Sequence, residues 1–338
     1  MGELRIETTD YHTAGEPFRI VTAGVEAPQG RTMLDKRAFA QEHLDEVRRL
    51  LVHEPRGHAD MYGGLVTEPE DDGADLGVLF FHNAGFSTAC GHGTIALVTW
   101  ALESGRLDPE ALPREDGLVR VTVDVPSGRL PTWAHMEDGR ARWVRFRNIP
   151  SYAADRGTTV STGAGELTAD IAFGGAYYAS VPASDARLSV TAEHTEAFIR
   201  VGREVQGLLN ERGAGRHPSD DRLSGIYGVI FHEESPEPEA RVHQRNVAVF
   251  ADGEVDRSPC GSGTSARLAL LRADGAIEAG EWMLHDSIVG TRFRGRVVET
   301  AESAPAVVTE VEGAAHRTGE HRFMLEPGDG LGTGFLLR

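Results

Sequence analysis

Apolar and polar positions along the chain fall into three patterns. Period-two alternation marks strands at residues 4 to 24, interrupted by a polar loop at 10 to 17, and at 76 to 81, 118 to 125, 142 to 146, 170 to 179, 226 to 231, 247 to 250, 296 to 300, 306 to 311 and 321 to 325. Within residues 34 to 52 an apolar stripe at Phe39, Leu44, Val47 and Leu51 predicts a surface helix, ended by Pro55, and residues 193 to 209 repeat the pattern. The third pattern is apolar on every side. Ile95 to Leu102, and Ala266 to Leu271 apart from Arg267, read as two buried helices, each entered through a glycine turn and stopped by Gly105 or Gly275.

The two buried helices open in almost the same way. Ala89-Cys90-Gly91-His92-Gly93-Thr94 precedes one and Pro259-Cys260-Gly261-Ser262-Gly263-Thr264 the other, and these hold both cysteines of the chain. At an offset of 170 (260 − 90) the register also places Phe80 on Phe250, Ala96 on Ala266 and Gly105 on Gly275. We read this as an internal duplication. A cysteine just ahead of a helix meets free backbone N–H groups and the positive end of the helix dipole, which favour a thiolate. The same N–H groups can hold a carboxylate. Two small buried hydrophobes would be the ordinary fate of free cysteines, but that does not explain their placement at the same point of a repeat. A disulfide is opposed by a reducing compartment, and the histidines lack a compact metal-ligand spacing.

Composition narrows the picture. The 338 residues suit two domains, and a net charge of −18 argues against nucleic acid or an anionic membrane as partner. Residues 1 to 10 lack the apolar core of a signal peptide and no apolar run spans a bilayer, so the expected location is the cytoplasm. The single lysine, Lys36, falls among the charges of the first surface helix, which disfavours pyridoxal phosphate. No cofactor and no metal is expected. The chain crosses to its second half near residues 148 to 152, and residues 233 to 239 form a solvated acidic loop.

Two thiols on opposite faces of one small acid suit proton transfer at the carbon next to its carboxylate, since a thiol's ordinary pKa of about 8.5 lies near operating pH. N–H groups at Gly91, His92, Gly261 and Ser262 would meet the carbanion's charge. Asp256, four residues ahead of Cys260, can face a cationic amine or serve as a turn aspartate. His92 can bond the substrate nitrogen or fix the helix entrance. Phe250 and Tyr62 are read as ring-packing walls, and His12, Glu16, Arg56, His58 and Asp60 as a buried supporting network.

Four motifs together resemble the proline racemase superfamily: residues 10 to 17 (DYHTAGEP), 54 to 61 (EPRGHADM), Cys90-Gly91-His92, and 256 to 264 (DRSPCGSGT). That superfamily comprises proline racemase, 4-hydroxyproline 2-epimerase and trans-3-hydroxy-L-proline dehydratase. The resemblance covers residue 5 to the end. It implies an α+β, diaminopimelate epimerase-like fold, with two pseudo-symmetric halves each wrapping strands around a central buried helix. The halves would be residues 1–148 with 326–338, carrying Cys90, and 149–325, carrying Cys260, with the active site between them. It further implies that Cys90 and Cys260 are the two bases, that Gly91, His92, Gly261 and Ser262 hold the carboxylate region, and that Asp256 and His92 face the amine. A homodimer and a small imino acid as ligand are implied as well.

Residues 82 to 90, 170 to 179 and 334 to 338 look most like the dehydratases, which typically carry Thr at the position of Cys260, and Ala89 departs from the Met of the usual pattern. Cys260 restores a second acid/base, and with it inversion. The reading is therefore a cofactor-independent racemase or epimerase acting at C2 of proline or a hydroxyproline. A dehydratase is the alternative, and a non-catalytic imino-acid binder the third reading.

Overall fold

The computed structural model describes residues 4–235, 237, 240–300 and 306–337, in two compact units. Pro236, Pro238 and Glu239 of the acidic loop, and Arg338, lie outside the described residues.

The first unit comprises residues 1–144 and 314–338. Its sheet runs, in spatial order, Ala315–Leu325, Leu4–Thr13, Glu16–Ala23, Tyr62–Thr67, Leu76–His82, Leu118–Val125 and Gly128–Glu137. Every residue of Leu76–His82 is buried, because both faces of that strand are covered. On one face Leu79 and Phe81 meet Met33, Ala40, Leu44 and Leu51 of the surface helices. On the other, Phe80 and Phe18 pack edge to face beneath the helix Gly91–Glu103, which is buried along twelve of its thirteen residues. Gly105, at φ +76°, ends that helix in a conformation that suits glycine.

The second unit, residues 145–313, closes its sheet on itself. The strands Ser151–Thr162, Gly165–Phe173, Tyr177–Pro182, Ile226–Glu234, Val242–Phe250, Trp282–Ser287, Arg292–Thr300 and Ala306–Gly313 pair in that order. Ser151 and Tyr152 then pair with Val307 and Ala306. The helix Gly261–Ala273 lies against five of these strands, while the amphipathic helix Thr195–Glu211 covers the outside. The central helix is less apolar than its counterpart, and its polar side chains are spent internally. Thr264 Oγ1 bonds the Cys260 carbonyl and His285 Nδ1 (both 2.8 Å), and Ser265 Oγ accepts from Thr309 Oγ1 (2.9 Å).

Several expectations change. Residues 10 to 17 are not a loop but the two arms of a hairpin turning at Ala14-Gly15. Their charge is tolerated because Asp10 and Arg19 stand opposite each other and form a bidentate buried pair (2.8 to 3.1 Å). The first surface helix is two helices, Met33–His43 and Asp45–Val52, broken at Leu44. Phe39 and Val47 of the expected stripe are only half-buried, whereas Lys36 is 6% exposed, its ammonium donating to the carbonyls of Glu68 and Pro69. Arg267 is likewise buried, sharing the Gln244 amide oxygen. The strand expected at 170 to 179 is broken at Gly174-Gly175, where a Cβ on Gly174 would come 2.3 Å from the Ser262 carbonyl oxygen. The tail rejoins the first unit at Ala314 rather than at 326, because Ala315–Leu325 hydrogen-bonds along the whole of Leu4–Thr13. The other crossing falls between Val144 and Arg145, not after 148.

Candidate active site

Cys90 caps its helix in extended backbone (φ −155°), and its sulfur accepts the Gly93 N–H at 3.2 Å. A helix N-terminus leaves such N–H groups without intrahelical partners, so a sulfur in this position satisfies one of them. Gly93 has to be glycine: a Cβ there would lie 2.8 Å from Cys90 Sγ and 2.4 Å from the Phe18 ring. The sulfur also lies 3.4 and 3.5 Å from the two ring nitrogens of His92. Burial pushes His92 down to about 3, so it faces the thiol as a neutral imidazole that can donate one hydrogen bond and accept another. Its ring stands edge-on to Tyr62 (4.9 Å) and Phe18 (5.7 Å), and its carbonyl takes the Thr13 hydroxyl (2.9 Å). Tyr62 in turn bonds Ser87 through its hydroxyl.

Cys260 repeats the close approach, a Cβ on Gly263 also falling 2.8 Å from the thiol sulfur. Its backbone differs, standing at φ +64°. That region is unfavourable for a residue with a Cβ. It is held there by Ser258 Oγ, which accepts the Cys260 N–H (3.1 Å), and by Asn246, which donates to the Pro259 carbonyl (2.9 Å). Asp256 lies opposite Ala248 on the strand pair and accepts the Ser258 N–H (2.8 Å). It is therefore a turn aspartate as well as a buried carboxyl. Burial raises it to about 6 against the opposing Ser258 bonds, and burial followed by the Asp256 charge pushes the Cys260 thiol well up.

In the first unit Cys90, Gly91, His92 and Tyr62 come together; in the second Cys260, Gly261, Ser262 and Asp256 do, while Phe250 joins through stacked and edge-on rings, Phe250 to Tyr227 (5.7 Å) and Tyr227 to Tyr178 (5.9 Å). Tyr178 was missed by sequence reasoning. Its hydroxyl is 3.7 Å from Cys260 Sγ and 2.8 Å from Ser262 Oγ. The only signal was the Gly174-Gly175 break, which brings the following strand against the helix start. The expected supporting network is mixed. Glu16 and Asp60 are buried, but His58 is exposed, and Arg56 ties the tail through Met324, Gly332 and Asp329. Elsewhere Glu237, His243 and Asp286 share a metal-like spacing, but Arg292 already bonds both carboxylates.

The sequence pattern of the proline racemase family matches residues 8–336. The chain belongs to the proline racemase family. Curated members include a trans-3-hydroxy-L-proline dehydratase of Bacillus cereus, 41% identical over 98% of this chain and 97% of that one. A 3-hydroxyproline 2-epimerase of Burkholderia multivorans is 44% identical over 98% of each. Among solved structures, a hydroxyproline epimerase from Agrobacterium vitis with bound trans-4-hydroxy-L-proline superposes with a TM-score of 0.89 at 28% identity, covering 99% of this chain and 96% of that one. A phenazine biosynthesis PhzF-family protein of Bacillus anthracis (TM-score 0.60, 14% identity, covering 95% of this chain and 99% of that one) shares the fold alone. The diaminopimelate epimerase-like architecture of the family is thus the one adopted here. No described helix of this family member is long and apolar enough to cross a membrane.

Proposed function

We propose that the protein is a cofactor-independent racemase or epimerase that inverts C2 of proline or a hydroxyproline with Cys90 and Cys260 as its two bases. The observation that carries this reading is the repeated thiol geometry: each cysteine caps a buried helix, and each has a glycine three residues on that leaves room for its sulfur. One thiolate removes the α-proton, and the thiol on the other face supplies a proton to the same carbon. The carbanion charge spreads into the carboxylate, where N–H groups at Gly91, His92, Gly261 and Ser262 would receive it. Asp256 and neutral His92 would hold the secondary amine, and Tyr62 and Phe250 would wall the ring. A thiolate at Cys90 keeps the Gly93 N–H; Cys260, buried beside a carboxyl, suits the proton-donating state.

A second reading, dehydration of trans-3-hydroxy-L-proline at the same site, is favoured by the names of relatives at 41% and 43% identity. There one base removes the α-proton, the 3-hydroxyl leaves as water, and the resulting enamine becomes a cyclic imine. Proton NMR in D2O under reducing conditions separates the two, with L-proline, trans-4-hydroxy-L-proline and trans-3-hydroxy-L-proline in separate tubes. Loss of the α-proton signal by exchange with solvent deuterium is the expected result, with signals of the C2 epimer appearing for a hydroxyproline and optical rotation reading the inversion of proline, whose enantiomers share one spectrum. Conversion of the 3-hydroxy compound to the cyclic imine, with no C2 isomer formed in any tube, would replace the first reading by the second. Unaltered spectra in all three tubes, with ordinary slow alkylation of both thiols, would leave only binding.

A further inference from the structure

A thiol that alternates between S–H and S⁻ needs a neighbour that can accept from the first and donate to the second. Carboxylates and backbone N–H groups do one or the other; a phenol does both. Tyr178 sits at this point in the second unit. Its strand, Tyr177–Pro182, is brought onto the start of the Cys260 helix by the Gly174 contact. Its hydroxyl lies between Cys260 Sγ (3.7 Å) and Ser262 Oγ (2.8 Å). The side chain is almost fully buried, packed with Ala172, Ile230, Ala248 and Cys260 itself.

We infer that Tyr178 is a positioning residue for Cys260, its hydroxyl turning between sulfur and Ser262 as the thiol gains and loses its proton. With Cys260 protonated, S–H donates to the phenol oxygen and the phenol O–H donates to Ser262 Oγ. With Cys260 ionised, the phenol O–H turns to the sulfur and the Ser262 O–H donates to the phenol oxygen. No proton is gained or lost by Tyr178 in either state, since burial raises its own titration well above the usual value. The phenol therefore stays a donor throughout. This inference rests on the proposed acid/base role of Cys260 only for its use, not for its geometry.

The titratable and charged groups around the thiol are Asp256 from the neighbouring strand, Arg257 beside it, Tyr178, and Tyr227 behind Tyr178. Of these only Tyr178 is removed by Tyr178→Phe, which deletes one oxygen. Mass-resolved alkylation of the two cysteines with iodoacetamide across pH then reads the thiols separately and without reference to turnover. Losing the donor is expected to move the Cys260 midpoint upward by about one pH unit and to leave Cys90 where it was. An unchanged or lowered Cys260 midpoint would overturn the inference. Should the variant not fold, 3-fluorotyrosine labelling of the unmutated protein decides. One of its six tyrosine resonances should shift with the Cys260 alkylation midpoint and lose that shift in Cys260→Ser. No such resonance would count against Tyr178. If the midpoint moves but no imino acid reacts, the positioning role stands and the proposed reaction does not.

Discussion

At the scale of single residues, the two thiols share a motif but not an environment. Cys90 keeps an N–H donor and a neutral imidazole beside it; Cys260 has a carboxyl, a phenol and a left-handed backbone. Asp256 is the group that gives this difference a pH signature. Its carboxyl, raised to about 6 by burial, is neutral below that pH and ionised above it. A protonated secondary amine is held only by the ionised form. For the free enzyme, kcat/KM should therefore rise as pH increases through about 6 and level off above it. A bound cation favours the carboxylate, so the corresponding limb in kcat should lie at lower pH. In Asp256→Asn the acid limb should vanish and kcat/KM at pH 8 fall by roughly 100-fold, as for loss of a charged hydrogen-bonded partner worth about 3 kcal/mol. An unchanged acid limb in that variant would assign it elsewhere.

Among the elements, the hairpin Leu4–Thr13 and Glu16–Ala23 shows where a hydropathy pattern misleads. Its charges read as a loop, yet they are buried. Arg19 is doubly bonded to Asp10, donates to the carbonyls of Leu51 and Arg56, and lies 4.3 Å over the ring of Phe323. Lys36 was misjudged for the same reason: a charged side chain can be buried if oxygen partners await it, and those partners come from distant segments that local pattern does not reveal. The cysteine helices were legible because their information is local, in a cysteine, two glycines and an apolar run. Tyr178 was not, because its importance depends on a strand break that places it over another element. Removing one partner of the hairpin pair should show how much it matters. Asp10→Ala leaves Arg19 buried without its carboxylate, and should lower unfolding free energy by about 3 to 5 kcal/mol in urea titration. A loss below about 1 kcal/mol would mean that the carbonyl bonds and the Phe323 ring suffice.

For the whole molecule, the two units differ in how their chains close. The second is made from one continuous stretch, 145–313, whose first and last strands pair with each other. Near its ends Arg145 bonds Glu312 (2.8 Å), Arg147 bonds Glu310 (3.0 Å), and the Asn148 N–H donates to the Thr309 carbonyl (2.8 Å). Arg294 and Arg296 bond the same two buried carboxylates from the next strand, with Trp282 beneath the guanidinium groups. The first unit is discontinuous: Leu4–Thr13 gains one of its two neighbours only from Ala315–Leu325. A fragment of residues 145–313 should therefore fold alone and unfold in urea as one cooperative transition, since its first and last strands already meet through Ser151 and Tyr152. A fragment of residues 1–144 should lack stable near-UV structure until a chain carrying residues 314–338 is supplied, because an exposed strand edge beside an incompletely covered core is a poor stopping point for folding. If 1–144 folds by itself, the returning tail is an addition to that unit and not part of its core. If 145–313 does not fold, the closure of its sheet depends on the chain on either side, and the two halves of the duplication are a single folding unit.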